Sequence, residues 1–129
     1  MTIDMTILAW VLVLTLVQVI LPAMWRNRET GLQYNAGPRD EPGPPVGPVT
    51  GRLKRAQQNL METLPVFIAA VLIVHLAGKA GTLSHIGAMV YLIARIVYVP
   101  LYAFGVPYVR SYCWLASIGG IVLLLLAML

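Results

Sequence analysis

The chain has 129 residues, of which 59% are hydrophobic and only 11% charged, with a mean hydropathy of +0.80. A soluble domain carries about 25% charged residues, so these few charges cannot cover a water-soluble globule, and neither a soluble enzyme nor a disordered tail fits. The lone cysteine, Cys113, rules out an internal disulfide scaffold, and the net charge of +4 points to loops kept in the cytoplasm rather than to nucleic acid.

The first apolar run, 5–25, carries no formal charge, and its 21 residues reach about 31 Å, enough to cross a hydrocarbon core. Its leader holds an acid, Asp4, and no base, and no small-x-small cleavage site follows. It therefore reads as a retained membrane helix, not a signal peptide. Residues 26–51 hold five of the nine prolines and five of the eleven glycines. That composition predicts an aqueous loop without regular helix. Its length exceeds the usual connection and suggests a lid or binding segment.

The second span is expected over 57–78. A start after the last charge, at Thr63, would leave only 16 residues before Lys79, too few for a crossing. The span therefore takes in Asn59 and Glu62, with Arg55 near its edge, and Pro65 is expected to kink it or loosen one turn. The third span, 82–104, contains Arg95 and Pro100 and stops at Gly105-Val106-Pro107. The fourth, 111–129, has no charge. The reading is an all-α integral membrane protein, one four-helix domain. Arg26, Arg28, Arg39, Arg52, Lys54 and Arg55 cluster around the first loop and Arg110 lies in the third, against Lys79 alone opposite. The positive-inside rule then places both termini outside the cytoplasm.

An ionisable residue inside a span costs about 2.5–3.5 kcal/mol on insertion scales, so each needs a reason. Arg55, Asn59 and Glu62, spaced i, i+4, i+7, form one polar stripe on the second helix, with Arg52 near the same face. Tyr91, Arg95, Tyr98 and Tyr102 form another on the third. Such stripes can simply glue helices together, and Arg95 and Glu62 can neutralise each other if their depths match. Yet Arg55, Arg95 and Arg110 face a single glutamate. A surplus of arginine asks for an anionic ligand with carboxylates to grip. His75 and His85 read as ordinary interfacial histidines without a third metal ligand, and Cys113 as a packing residue. Trp25 and Trp114 read as interfacial anchors, and Gly119-Gly120 as a place where helices approach closely. No P-loop, dinucleotide fingerprint or zinc spacing is present.

These residues together resemble the MAPEG superfamily, the membrane-associated proteins in eicosanoid and glutathione metabolism. Arg55-Ala56-Gln57-Gln58-Asn59-Leu60-Met61-Glu62 is similar to the family signature R-A-x-x-N-x-x-E, and Arg95, Tyr98, Tyr102 and the later Arg110 resemble its R-x-x-Y-x-x-x-Y pattern with a following arginine. The likeness is greatest to the small bacterial members. It implies a homotrimer in the bacterial inner membrane, with glutathione bound as co-substrate between neighbouring subunits on the cytoplasmic side. By resemblance Arg55, Gln57, Asn59, Glu62, Arg95, Tyr98 and Tyr102 hold glutathione. Arg110 steadies its thiolate with help from Tyr98 or Tyr102, and no metal takes part. The implied reaction is glutathione transfer to lipophilic electrophiles, or reduction of lipid hydroperoxides. Many bacterial members have no demonstrated reaction, so a non-catalytic protein of this fold is one alternative. A small proton-coupled exporter using Glu62 is another, although such a glutamate usually stands in the first helix.

Overall fold

The computed structural model describes residues 1–40, 43 and 45–129. Among them the chain is all-helical: α1 Ile3–Thr30, α2 Leu32–Ala36, α3 Pro48–Leu76, α4 Thr82–Ala103 and α5 Val109–Ala127. All but α2 are long and apolar enough to cross a membrane. The four long helices run up and down in turn. α4 packs most extensively on α5, α1 lies against α3 and α4, and α3 also meets α4 and α5. Both termini therefore share one end of the bundle, and the other end gathers Arg26, Arg28, Arg39, Arg52, Lys54, Arg55 and Arg110.

Local chemistry sets most helix ends. The Thr2 side chain accepts from the Met5 N–H, and Asp4 sits in the first turn of α1, where the helix dipole favours an acid. Pro48 opens α3 at a position where its missing N–H costs nothing. Ser84 Oγ accepts from the Gly81 N–H at the start of α4.

The proline-rich segment departs from the sequence expectation. α1 runs past the apolar stretch to Thr30, α2 forms inside the expected loop, and α3 starts at Pro48. The prolines lie between 38 and 48, so Arg26–Thr30 is free to continue the helix, while Pro48 begins one. Glu29 closes the connection by accepting from the Gly47 N–H and the Thr50 hydroxyl. α3 also continues as helix through Pro65.

Tight packing fills the half of the bundle near the termini. Val11, Phe67, Val71, Val74, Ala88 and Leu124 are fully buried there, and the Phe67 and Tyr91 rings stack at 4.0 Å. Between helices in lipid this close packing supplies much of the attraction. α4 and α5 come closest at Gly87 and Gly120. A Cβ on Gly120 would lie 2.6 Å from the Gly87 carbonyl oxygen. Gly119 faces open space, so only one of the expected glycine pair makes the approach. Trp25 stays near the basic end under the Arg28 guanidinium, 5.2 Å from its ring centre, whereas the Trp114 indole N–H is buried.

Candidate functional site

The basic end holds an open cleft of about 280 Å³ lined by Arg52, Arg55, Tyr102, Gly105 and Arg110. Three helices supply it. The N-terminal turns of α3 present Arg52 and Arg55, the last turn of α4 presents Tyr102, and the first turn of α5 presents Arg110. Tyr102 is the hub. Its hydroxyl accepts from Arg55 Nε at 3.2 Å, and the Arg110 guanidinium lies 4.5 Å from its ring centre. Arg52 reaches the Ala103 carbonyl at 3.5 Å across Gly105. A Cβ on Gly105 would come within 2.9 Å of the Arg52 guanidinium, and its φ of 71° is one that side chains rarely adopt. Glycine there lets the arginine lie flat against the α4–α5 turn. Among the described residues no acid lines the cleft, so the lining carries a surplus of positive charge.

Deeper in the bundle Arg95 is wholly buried. Its Nη1 donates to Asn59 Oδ1 at 2.8 Å, and its guanidinium lies 4.4 Å from the centre of the Tyr98 ring. The attraction of a cation for an aromatic face helps to hold it. Its Nε and Nη2 are buried with no partner. Such unmade bonds cost about 1–3 kcal/mol each, more for a charged group. Tyr98 and Tyr102 pack tilted at 5.5 Å, so the buried arginine and the open cleft share an aromatic wall.

The expected site residues thus divide. Arg55, Tyr102 and Arg110 meet in the cleft, and Asn59, Arg95 and Tyr98 form the buried group beneath. Glu62 and Gln57 do not join them within one chain. Glu62 lies exposed and acts on Arg95 only through space, without an ion-pair contact, while the hydrogen bond of Arg95 goes to Asn59. Tyr91 leaves the polar stripe to bond the Thr63 hydroxyl at 2.9 Å within the core. Cys113 lines an apolar groove between α4 and α5.

Sequence reasoning missed three features. Arg52, placed near the polar face of α3 but left out of the site, is a full member of the cleft. Gln18 is buried with both amide atoms unpartnered. Counting from Asp4 and Ser84, which touch, Gln18 lies about 21 Å along α1 and Arg95 about 16 Å along α4. The third is at the far end. There the wholly buried Asp4 accepts from the Ser84 hydroxyl at 2.6 Å and pairs with His85 Nδ1. His85 is therefore not an idle interfacial histidine. An acid in an apolar leader, with a Ser-His pair opening a later helix, was the signal. Among the described residues no three His, Cys, Asp or Glu side chains gather as metal ligands.

A search of curated proteins finds no match to this sequence. The model of the MAPEG family matches residues 5–129, all four long helices and every residue of the cleft. With four apolar helices and that match over nearly its whole length, the chain is an integral membrane protein belonging to the MAPEG family.

Proposed function

We propose that this protein binds reduced glutathione at the Arg52–Arg55–Arg110 cleft, between neighbouring protomers of a homotrimer, and activates its thiol toward lipophilic electrophiles. The observation that carries the reading is a cleft lined by three arginines, two of them against Tyr102, with no acid among the described residues in its lining. Glutathione bears two carboxylates and one ammonium, so it is a net anion that arginines can grip. Glu62 suits the ammonium. Its exposure on the protomer surface supports a role at a subunit boundary, where a neighbour brings it to the ligand.

Arg110 is the residue best placed to stabilise a thiolate, because it lies against the same ring that Arg55 holds through its hydroxyl. A cation beside sulfur raises the thiolate fraction at neutral pH. The thiolate then forms a carbon–sulfur bond with an apolar electrophile arriving from the bilayer, either displacing a leaving group that departs with the electron pair or adding to an activated double bond whose carbanion takes a proton from water, and the Tyr102 or Tyr98 hydroxyl donates a hydrogen bond. With a lipid hydroperoxide as substrate, two glutathiones are oxidised to the disulfide and the peroxide is reduced to alcohol and water. The basic end faces the cytoplasm of a bacterial cell and both termini face away, in keeping with the charge asymmetry.

Calorimetry of the detergent-solubilised protein with reduced glutathione tests the binding. Saturable heat that disappears in Arg55→Ala and Glu62→Ala is expected, and no heat from the parent protein refutes it. One observation favours the exporter reading, namely that Glu62 is exposed with no ion-pair partner among the described residues. That reading expects cation efflux driven by a proton gradient, which the glutathione reading does not.

A further inference from the structure

A second cationic cavity lies on the opposite side of α3. It encloses about 170 Å³ between α1, the segment after α2, and the start of α3, room for several waters of about 30 Å³ each. Arg26, Arg39 and Lys54 line it, one from each segment, and no acid among the described residues does. Arg26 Nε is buried without a hydrogen-bond partner, and Lys54 makes no side-chain hydrogen bond or ion pair among the described residues.

The surrounding contacts build this cavity rather than leave it as a gap. Arg39 sits at φ 57°, a left-handed conformation unusual for arginine. Its guanidinium donates twice to the Asn35 carbonyl, at 3.0 and 2.8 Å. Asn35 is held in turn by the Thr30 hydroxyl at 2.6 Å and by Asn27 at 2.8 Å. The nearest acid on α1, Glu29, is occupied by Gly47 and Thr50 and does not line the cavity. The cavity is also graded. Val19, Pro22 and Ala23 belong to the apolar run of α1 and form its floor, and Arg26 lies about 10 Å along the axis from Val19, at the membrane edge.

We infer that this cavity binds the phosphodiester headgroup of an anionic membrane lipid, with Arg26, Arg39 and Lys54 around the phosphate and the glycerol end against Val19 and Pro22. A basic pocket at the edge of an apolar helix suits such a headgroup, and an apolar floor suits a lipid better than a free phosphate. The inference stands apart from glutathione binding, since none of its residues lines the Tyr102 cleft.

The test uses the full-length protein in detergent, with dioleoyl-phosphatidylglycerol, dioleoyl-phosphatidylcholine and inorganic phosphate as separate probes. Retained lipid is counted by native mass spectrometry, and protection is read from thermal unfolding. Phosphatidylglycerol is expected to bind once per protomer and to raise the unfolding temperature, and phosphatidylcholine to do neither. Lys54→Gln and Arg26→Gln should each weaken phosphatidylglycerol about fivefold, whereas Arg28→Gln, outside the cavity, should leave it unchanged. Equal retention of both lipids overturns the inference. So does an unchanged Lys54→Gln, an equal loss in Arg28→Gln, or equal protection by inorganic phosphate. Lys54 is exposed, so its variant decides the matter if Arg26→Gln fails to fold.

Discussion

Asn59 on α3 and Arg95 on α4 are joined by one hydrogen bond, Oδ1 accepting from Nη1 at 2.8 Å, and it is the only hydrogen bond that the buried guanidinium makes among the described residues. Removing the acceptor leaves a buried cation held only by the Tyr98 ring. Asn59→Ala is therefore expected to destabilise the bundle by about 1.5–3 kcal/mol, the range for a hydrogen bond to a charged group. Asn59→Asp keeps an acceptor and adds a countercharge, so it should lose less. Thermal unfolding of both variants in one detergent checks the order. Equal losses would show that the bond contributes nothing beyond side-chain shape.

Arg110 and Tyr102 make a prediction about chemistry rather than folding. If the Arg110 cation stabilises a bound thiolate, mixing glutathione with the parent protein should produce thiolate ultraviolet absorbance at neutral pH. Arg110→Ala should abolish it. Tyr102→Phe keeps the ring that Arg110 packs on and removes only the hydroxyl that Arg55 engages, so it should reduce the signal less. Undiminished absorbance in Arg110→Ala would remove that arginine from the role.

Much of this architecture was legible because its signals are local. Runs of apolar residues gave four spans, and the i, i+4, i+7 spacing put Arg55 and Asn59 on one face. What stayed hidden depends on depth and on neighbours. Whether Arg95 meets Glu62 or Asn59 turns on a rotation of α3 that spacing alone does not define. The bond between Asp4 and His85 joins residues 81 positions apart, so the leader acid and the Ser84-His85 pair become a signal only once the first turns of α1 and α4 are known to meet. The proline-rich stretch misled because proline forbids a helix interior but favours a helix start, and Pro48 is the second case.

Gly119 and Gly120 are adjacent, yet the structure gives them opposite signs. A Cβ on Gly120 meets backbone atoms, the Gly87 oxygen at 2.6 Å and the Tyr91 nitrogen at 2.9 Å, and neither can move without shifting α4. Gly120→Ala should cost about 1–3 kcal/mol, as overpacking does. Gly119→Ala meets nothing within 4 Å and gains helix propensity worth up to about 1 kcal/mol. Chemical denaturation of the two variants should move in opposite directions; a loss in both would mean that the open face at Gly119 is covered by something outside the protomer.

The Asp4 cluster separates scaffold from site. Both carboxylate oxygens are engaged, Oδ2 by the Ser84 hydroxyl and Oδ1 by His85, so this buried acid pins the first turn of α1 to the first turn of α4. Asp4→Ala removes both contacts and frees Ser84 and His85, with an expected loss of about 1.5–3 kcal/mol. Amide hydrogen exchange should accelerate over residues 3–11, where α1 loses its only side-chain bonds to α4 among the described residues. The Tyr102 cleft lies at the other end of the bundle and shares no residue with this cluster, so glutathione affinity should stay within about twofold of the parent. Faster exchange confined to α1, with binding heat preserved, would identify the cluster as a structural latch. A parallel loss of glutathione binding would mean instead that the two ends of the bundle are coupled through α1.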